Sequence, residues 1–215
     1  MPLTGRYRAV VFDMDGLLLD TEQLWLRSER DLFRRRGQEF TADDQRAVVG
    51  TSLEFSAAYY AKRLGVRPED GVALNEEVNE LMHEELRRQV RARPGAVELV
   101  ERLRNETAVR LALASNSPRR LVDRALLTAR LTDAFETIVT AADVPRPKPA
   151  PDIYLEACRR LGVNPSEALA LEDSPSGVRA AKAAGLTCIA VPTVAELDVS
   201  AADRVIDSLE ELLVS

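Results

Sequence analysis

The sequence predicts an α/β fold: a Rossmann-like, doubly wound parallel sheet with a helical domain inserted after its first strand. Three observations carry this reading. A short β-rich run at 8–12 (RAVVF) opens the chain. A stretch with helical periodicity and no strand pattern follows, from Thr21 to about Arg91. Beyond Pro94-Gly95, short apolar runs alternate with helical patterns, the signature of βαβ units whose parallel strands are covered on both faces. The first strand belongs with the later ones. The chain therefore divides into an α/β core, residues 1–19 and 92–215, and a helical insertion, residues 20–91.

Each element has its own signal. In the first helix Trp25 and Leu32, and likewise Leu26 and Phe33, recur at helical spacing. That helix should stop at Gly37, with Arg34, Arg35 and Arg36 in its last turn. The basic trio reads as cations at a helix C-terminus on a solvated face, in preference to a phosphate-binding patch. Helical patterns continue at 42–48, 52–64 and 73–90. Helix 95–104 then precedes strand 109–114, helix 118–128 precedes a strand at 137–140, and helix 151–161 precedes strand 168–171. Helix 175–184 precedes strand 187–191, and a short strand near 204–206 precedes a terminal helix.

Composition narrows the function classes. The 215 residues are 46% apolar and 30% charged, which fits a globular protein and not a disordered one. A formal net charge of -6 gives no reason to expect a nucleic-acid partner. No apolar run approaches the roughly 18 residues that span a membrane. The N-terminus lacks the apolar core of a signal peptide. Cys158 and Cys188 read as reduced, buried hydrophobes, and together these features give a cytoplasmic expectation. A catalytic thiol would want a histidine nearby, and the single histidine, His83, lies in another region. No exposed apolar stripe is long enough for a coiled coil, so a monomer is expected.

The chemistry gathers behind the strands. The first ends in Asp13-Met14-Asp15-Gly16, the strand at 109–114 in Ser115-Asn116-Ser117, and the strand at 168–171 in Glu172-Asp173-Ser174. Ligands of an open parallel sheet bind outside the carboxyl ends of its strands, so these clusters should converge on one edge. Clustered carboxylates repel one another unless a cation neutralises them. Oxygen-only donors favour a hard ion such as Mg2+, which recruits phosphate in turn. Lys148, held between Pro147 and Pro149, is a candidate cation for substrate oxygens. Ser115 and the Glu172-Asp173-Ser174 run also read as helix caps before Pro118 and Pro175, a role compatible with a site.

These residues resemble the haloacid dehalogenase (HAD) phosphohydrolases. DMDGLLLDTE at 13–22 looks like the family's first motif, ASNS at 114–117 the second, Lys148 in KPAPD the third, and LEDSPSGVRAAKAAG at 171–185 the fourth. The resemblance covers nearly the whole chain, points to the β-phosphoglucomutase-like branch, and identifies the insertion with that family's α-helical cap. It implies Asp13 as nucleophile and Asp15 as general acid, then base. It implies Ser115, Asn116 and Lys148 as holders of the phosphoryl oxygens. Magnesium would be bound by the Asp13 carboxylate, the Asp15 main-chain carbonyl and Asp173, with Glu172 acting from behind or through water. The implied activity is magnesium-dependent hydrolysis of a small phosphorylated metabolite, a sugar or polyol phosphate.

Departures from the branch favour a hydrolase over a mutase. The mutases carry a cap histidine where this chain has Trp25, and an arginine after a GxS-type segment where Gly50-Thr51-Ser52 is followed by Leu53. The alternatives are a phosphosugar mutase and, from another class, a non-catalytic binding or regulatory protein on the same fold. A degenerate binder would be expected to have lost a member of the set Asp13, Asp15, Ser115, Lys148 and Asp173. Candidates for choosing the leaving group are Trp25, Gly50, Thr51, Ser52 and Glu54.

Overall fold

The computed structural model describes residues 5–49, 51, 53–106, 108–193 and 197–213. Strand β1 (Ala9–Phe12) is followed by α1 (Glu22–Arg34), α2 (Ala42–Val48), α3 (Leu53–Leu64) and α4 (Gly71–Arg88). Alternation then begins with α5 (Ala96–Arg104), β2 (Arg110–Ser115), α6 (Arg119–Thr128) and β3 (Thr137–Thr140). It continues with α7 (Asp152–Leu161), β4 (Ala168–Glu172), α8 (Pro175–Ala183), β5 (Thr187–Ala190) and β6 (Arg204–Val205). The strands form one six-stranded sheet of order β3-β2-β1-β4-β5-β6, every pairing parallel. This is the doubly wound parallel sheet expected from the sequence.

Side-chain alternation along β1 shows how the layers form. Val10 and Phe12 join a cluster with Leu99, Leu103, Leu121 and Val122 from α5 and α6. Ala9 and Val11 face the other way, into a cluster with Ile153, Ala157, Val178 and Ala181 from α7 and α8. Successive residues of a strand point to opposite faces, so a wholly apolar strand needs helices on both sides. Cys158 and Cys188 are buried, free thiols in the second cluster, and burial raises them to about 11 and about 12. Among the described residues no helix is long and apolar enough to cross a membrane.

Helices α1 to α4 enclose a third cluster, with Phe33, Phe40, Tyr60 and Val78 at its centre. Phe33 meets Phe40 and Tyr60 edge to face, at 5.1 and 6.0 Å between ring centroids. Helix α2 starts on a capping box in which Thr41 and Asp44 each satisfy the other's backbone amide. The chain enters and leaves this helical stretch along one seam. The Asp20 amide donates to the Arg91 carbonyl, and the Arg93 amide to that of Leu18, both at 2.8 Å.

Three local readings are corrected or refined. Helix α4 begins at Gly71, two residues before the periodicity suggested, because a 3-10 turn at Pro68–Asp70 leads straight into it. A Cβ at Gly71 would lie 2.4 Å from the Ala57 carbonyl, so glycine lets α4 approach α3. The terminal helix is only a 3-10 turn, Leu209–Leu212, whose two leucines bury at i and i+3 spacing. Arg34 and Arg35 pair with Asp31, and Arg35 and Arg36 with Glu77 of α4, so two of the basic trio tie the end of α1 to α4.

Candidate active site

The register of β1 decides what converges. Phe12 is level with Leu113 of β2 and Leu171 of β4. One residue further, Asp13, Ala114 and Glu172 stand side by side at the carboxyl edge, flanked by Ser115 and Asp173. The loops after β1, β2 and β4 and the one carrying Lys148 all line one cavity, whose opposite wall comes from α1, α2 and α3.

Lys148 is 3% exposed and ties the edge together. Its ammonium donates to Asp13 Oδ1 at 2.5 Å, Glu172 Oε1 at 2.6 Å and the Ala114 carbonyl at 2.8 Å. Three protons meet three acceptors. Burial opposes its charge, but Asp13 and Glu172 outweigh burial and raise its pKa. Asn116 spends its amide on the Lys148 backbone, accepting from the N–H at 3.0 Å and donating to the carbonyl at 3.1 Å. Its side chain thus positions the lysine.

Glu172 is fully engaged by protein donors. Oε1 takes Lys148 and the Tyr154 hydroxyl, both at 2.6 Å. Oε2 takes the Asp173 and Ser174 amides and the Ser174 hydroxyl. A Cβ on Gly177 would fall 1.8 Å from Glu172 Oε1, so the glycine of the EDSPSG run makes room for this carboxylate under the first turn of α8.

Asp13, Glu172 and Asp173 are buried, and each offers a carboxylate oxygen within 4.8 Å of the others'. One ammonium does not balance three carboxylates. Burial pushes Asp13 well above the usual carboxylate range, with Glu172 and Asp15 adding and Lys148 opposing. Burial likewise raises Asp173, with Asp13 and Glu172 adding. Asp13 Oδ2 takes no hydrogen bond from a described residue. Gly16, at φ +81°, passes where a Cβ would sit 2.1 Å from Asp173 Oδ2.

Asp15 collects four donors. Oδ1 accepts from the Thr21 hydroxyl at 2.8 Å and the Trp25 indole at 3.1 Å. Oδ2 accepts from Ser117 at 2.8 Å and Ser115 at 3.2 Å. Half of these donors come from the sheet edge and half from the start of α1, so Asp15 links the two walls of the cavity.

The leaving-group candidates separate. Trp25 and Thr51 line the cavity, although the Thr51 hydroxyl donates to the Val48 carbonyl at 2.7 Å. Glu54 is exposed: Leu53, Ser56 and Tyr60 take the cavity face of α3, and the helical turn carries Glu54 to solvent. Gly50 and Ser52 lie outside the described residues. Sequence reasoning missed Thr21, Ser117, Tyr154 and Glu29. Ser117 follows Ser115 by two residues and Thr21 stands at the start of α1, which are weak signals; Tyr154 and Glu29 had none.

The family model of haloacid dehalogenase-like hydrolases matches residues 10–191. Hexitol phosphatase B of Escherichia coli is 34% identical over 189 residues, covering 86% of this chain and 83% of that protein. The phosphorylated carbohydrates phosphatase of Thermotoga maritima is 34% identical over 182 residues, 83% of this chain and 82% of that protein. The crystal structure of CbbY from Rhodobacter sphaeroides in complex with phosphate matches with a TM-score of 0.86 at 30% identity, over 96% of each chain. The motifs, the sheet order and these relatives agree: the chain belongs to the haloacid dehalogenase-like hydrolases, in the phosphatase branch that resembles β-phosphoglucomutase.

Proposed function

We propose that the protein hydrolyses a phosphorylated sugar or polyol through an aspartyl-phosphate on Asp13, with Mg2+ as cofactor. The observation that supports this best is the arrangement around Asp13. A buried carboxylate with one oxygen fixed by Lys148 and the other unengaged faces a cavity that a second carboxylate on the same loop, Asp15, also lines. Relatives named as a hexitol phosphatase and a phosphorylated carbohydrates phosphatase support the substrate class.

The donor set fits a hard divalent cation, being all oxygen, buried and over-negative. Asp13, Asp173 and the Asp15 main-chain carbonyl would hold it; Glu172, with both oxygens engaged, would steady Lys148 from behind. When bound, magnesium offsets the carboxylate repulsion and neutralises phosphoryl oxygens. Lys148, with the Asn116 backbone amide and the Ser115 hydroxyl, receives those oxygens next to Asp13. An Asp13 oxygen attacks phosphorus, the bond to the leaving oxygen breaks, and Asp15 delivers the proton to that oxygen. Water then attacks the acyl phosphate, Asp15 takes its proton, and inorganic phosphate departs. Such a transition state asks for positioning and charge neutralisation more than covalent help.

Residues 20–91 would act as a cap hinged on the seam between Leu18–Asp20 and Arg91–Arg93. Asp15 would sense its position, because Thr21 and Trp25 bring their donors only when α1 sits over the sheet edge. The test is phosphate release from a panel of sugar, polyol and two-carbon phosphate esters, with magnesium present or chelated. Magnesium-dependent release absent from Asp13→Asn supports the reading. Isomerisation of a sugar phosphate without net phosphate release would make the protein a mutase.

A further inference from the structure

Helix α1 carries a polar stripe that the reaction at Asp13 does not exhaust. Thr21, Trp25 and Glu29 recur every four residues and share one face. The first two donate to Asp15. Glu29 lies one turn on, about 6 Å along the axis from Trp25. It lines the same cavity and yet is only 6% exposed. Oε1 accepts the Tyr60 hydroxyl at 2.6 Å. Oε2 takes no hydrogen bond from a described residue, and no described Lys or Arg pairs with it.

A buried glutamate without a counter-ion is unusual in a helix that has solvent available on its other side. Burial lifts this carboxyl to about 7, the Tyr60 hydroxyl opposing and Asp44 adding. Asp44 itself is engaged by Thr41, Tyr59 and Arg63 and does not reach Glu29 with a proton. The cavity lining from α2, α3 and α4 sets the amides and hydroxyls of Gln45, Ser56, Tyr60 and Asn75 among the apolar Val48 and Leu53. Among the described residues lining the cavity the cations are Lys148, committed at Asp13, and Arg179, exposed on α8. The inner wall therefore offers a hydrogen-bond acceptor that carries a negative charge above about pH 7, and no described cation for a second anion.

We infer that Glu29 determines which leaving group is accepted. Its unengaged oxygen takes a hydroxyl of an uncharged, polyhydroxylated leaving group, a polyol or sugar of several carbons. The same charge turns away leaving groups that end in a second phosphate or a carboxylate. The distance from Trp25 to Glu29 suits a chain longer than two carbons. This selectivity rests on phosphoryl transfer at Asp13, and Glu29 takes no part in the bond changes there.

The test compares kcat/KM for sorbitol phosphate, phosphoglycolate and fructose bisphosphate in the wild-type protein and in Glu29→Gln, with magnesium and at a pH of about 8, above the value at which Glu29 ionises. The wild type is expected to prefer sorbitol phosphate. Glu29→Gln keeps the size and the acceptor for Tyr60 but removes the charge. It is expected to cut the preference roughly tenfold or more, through a higher KM for sorbitol phosphate and a lower one for the anionic esters. A wild type that prefers phosphoglycolate or fructose bisphosphate overturns the inference with no variant needed. So does a preference unchanged to within about twofold in a Glu29→Gln protein that melts like the wild type. A wild type that releases phosphate from none of the three removes the phosphatase reading itself, a different failure from an unaltered ratio.

Discussion

At the scale of the residue, the site depends on how each charge is held. Lys148 faces two carboxylates and a carbonyl, and its backbone is clamped by Asn116. Asp15 is held from both walls of the cavity, and this makes the Trp25 indole a positioning group for the proposed acid. A hydrogen bond to a charged group is worth about 1.5 to 3 kcal/mol, and Trp25 supplies one of four. Trp25→Phe should lower kcat roughly threefold to tenfold, whereas Asp15→Asn should lower it by roughly 10² to 10⁴. In the Asp15→Asn background the second change should have almost no further effect, because the acid that Trp25 positions has gone. Steady-state kinetics on the four proteins measures this coupling. Additive losses would mean that Trp25 works through substrate contact alone. Asp13, Asp15, Ser115, Lys148, Glu172 and Asp173 were legible because each follows an apolar strand or stands in a motif. Tyr154 and Glu29 were not: a tyrosine in the first turn of a helix and a glutamate at helical spacing look like surface residues until their neighbours are known.

At the scale of the element, strand endings do most of the work. β1 lies between β2 and β4, and the two pairings bring the polar residues after all three strands to one level. Continuous apolar runs such as ALAL at 168–171 announced these strands, because both faces are covered. Where the sequence misled, packing took over from pattern: Leu209 and Leu212 bury in a single 3-10 turn, so the chain has no further use for a full helix there. Helix α8 shows how tightly an element's start can be tied to chemistry. Pro175 and the Ser174 cap begin it, and Gly177 leaves space for Glu172. Gly177→Ala should therefore destabilise the fold by about 1 to 3 kcal/mol and also displace the anchor of Lys148. Denaturant midpoints and phosphate release read the two effects together. A variant that is stable and fully active would show that Glu172 is not held where the structure has it.

At the scale of the whole molecule, two surfaces meet over the cavity. Helix α4 lies against α6, and Arg120 reaches Glu76 at 2.5 Å and Glu80 at 2.6 Å. Exposed pairs of this kind contribute little, so they do not lock the arrangement. The cap reading predicts that X-ray scattering profiles shift to a more compact form when magnesium and a phosphate analogue are added together; superimposable profiles would count against it. Stability should also carry the mark of Glu29. Its folded pKa, about 7, lies above the ordinary glutamate value of 4.5, so the folded state binds the extra proton between these two values. The stability associated with that proton is fully present below about pH 4.5 and is lost as pH rises through 7. Glu29→Gln lacks this loss, and its advantage over the wild type should grow across that window to something on the order of 3 kcal/mol. Denaturant titrations at pH 4.5 and pH 8 test the sign, and a difference that stays flat between them would place Glu29 in solvent.

The most direct test of the central claim looks for the phosphoryl group on the protein. The Asp15→Asn variant, with magnesium and p-nitrophenyl phosphate, whose leaving group departs without a proton, would be quenched in acid, digested and analysed by mass spectrometry. The account predicts one added phosphoryl group, on the peptide containing Asp13, absent when magnesium is chelated and absent from Asp13→Asn. Phosphate release by the wild type with no adduct at Asp13, or with the adduct on another side chain, would contradict it.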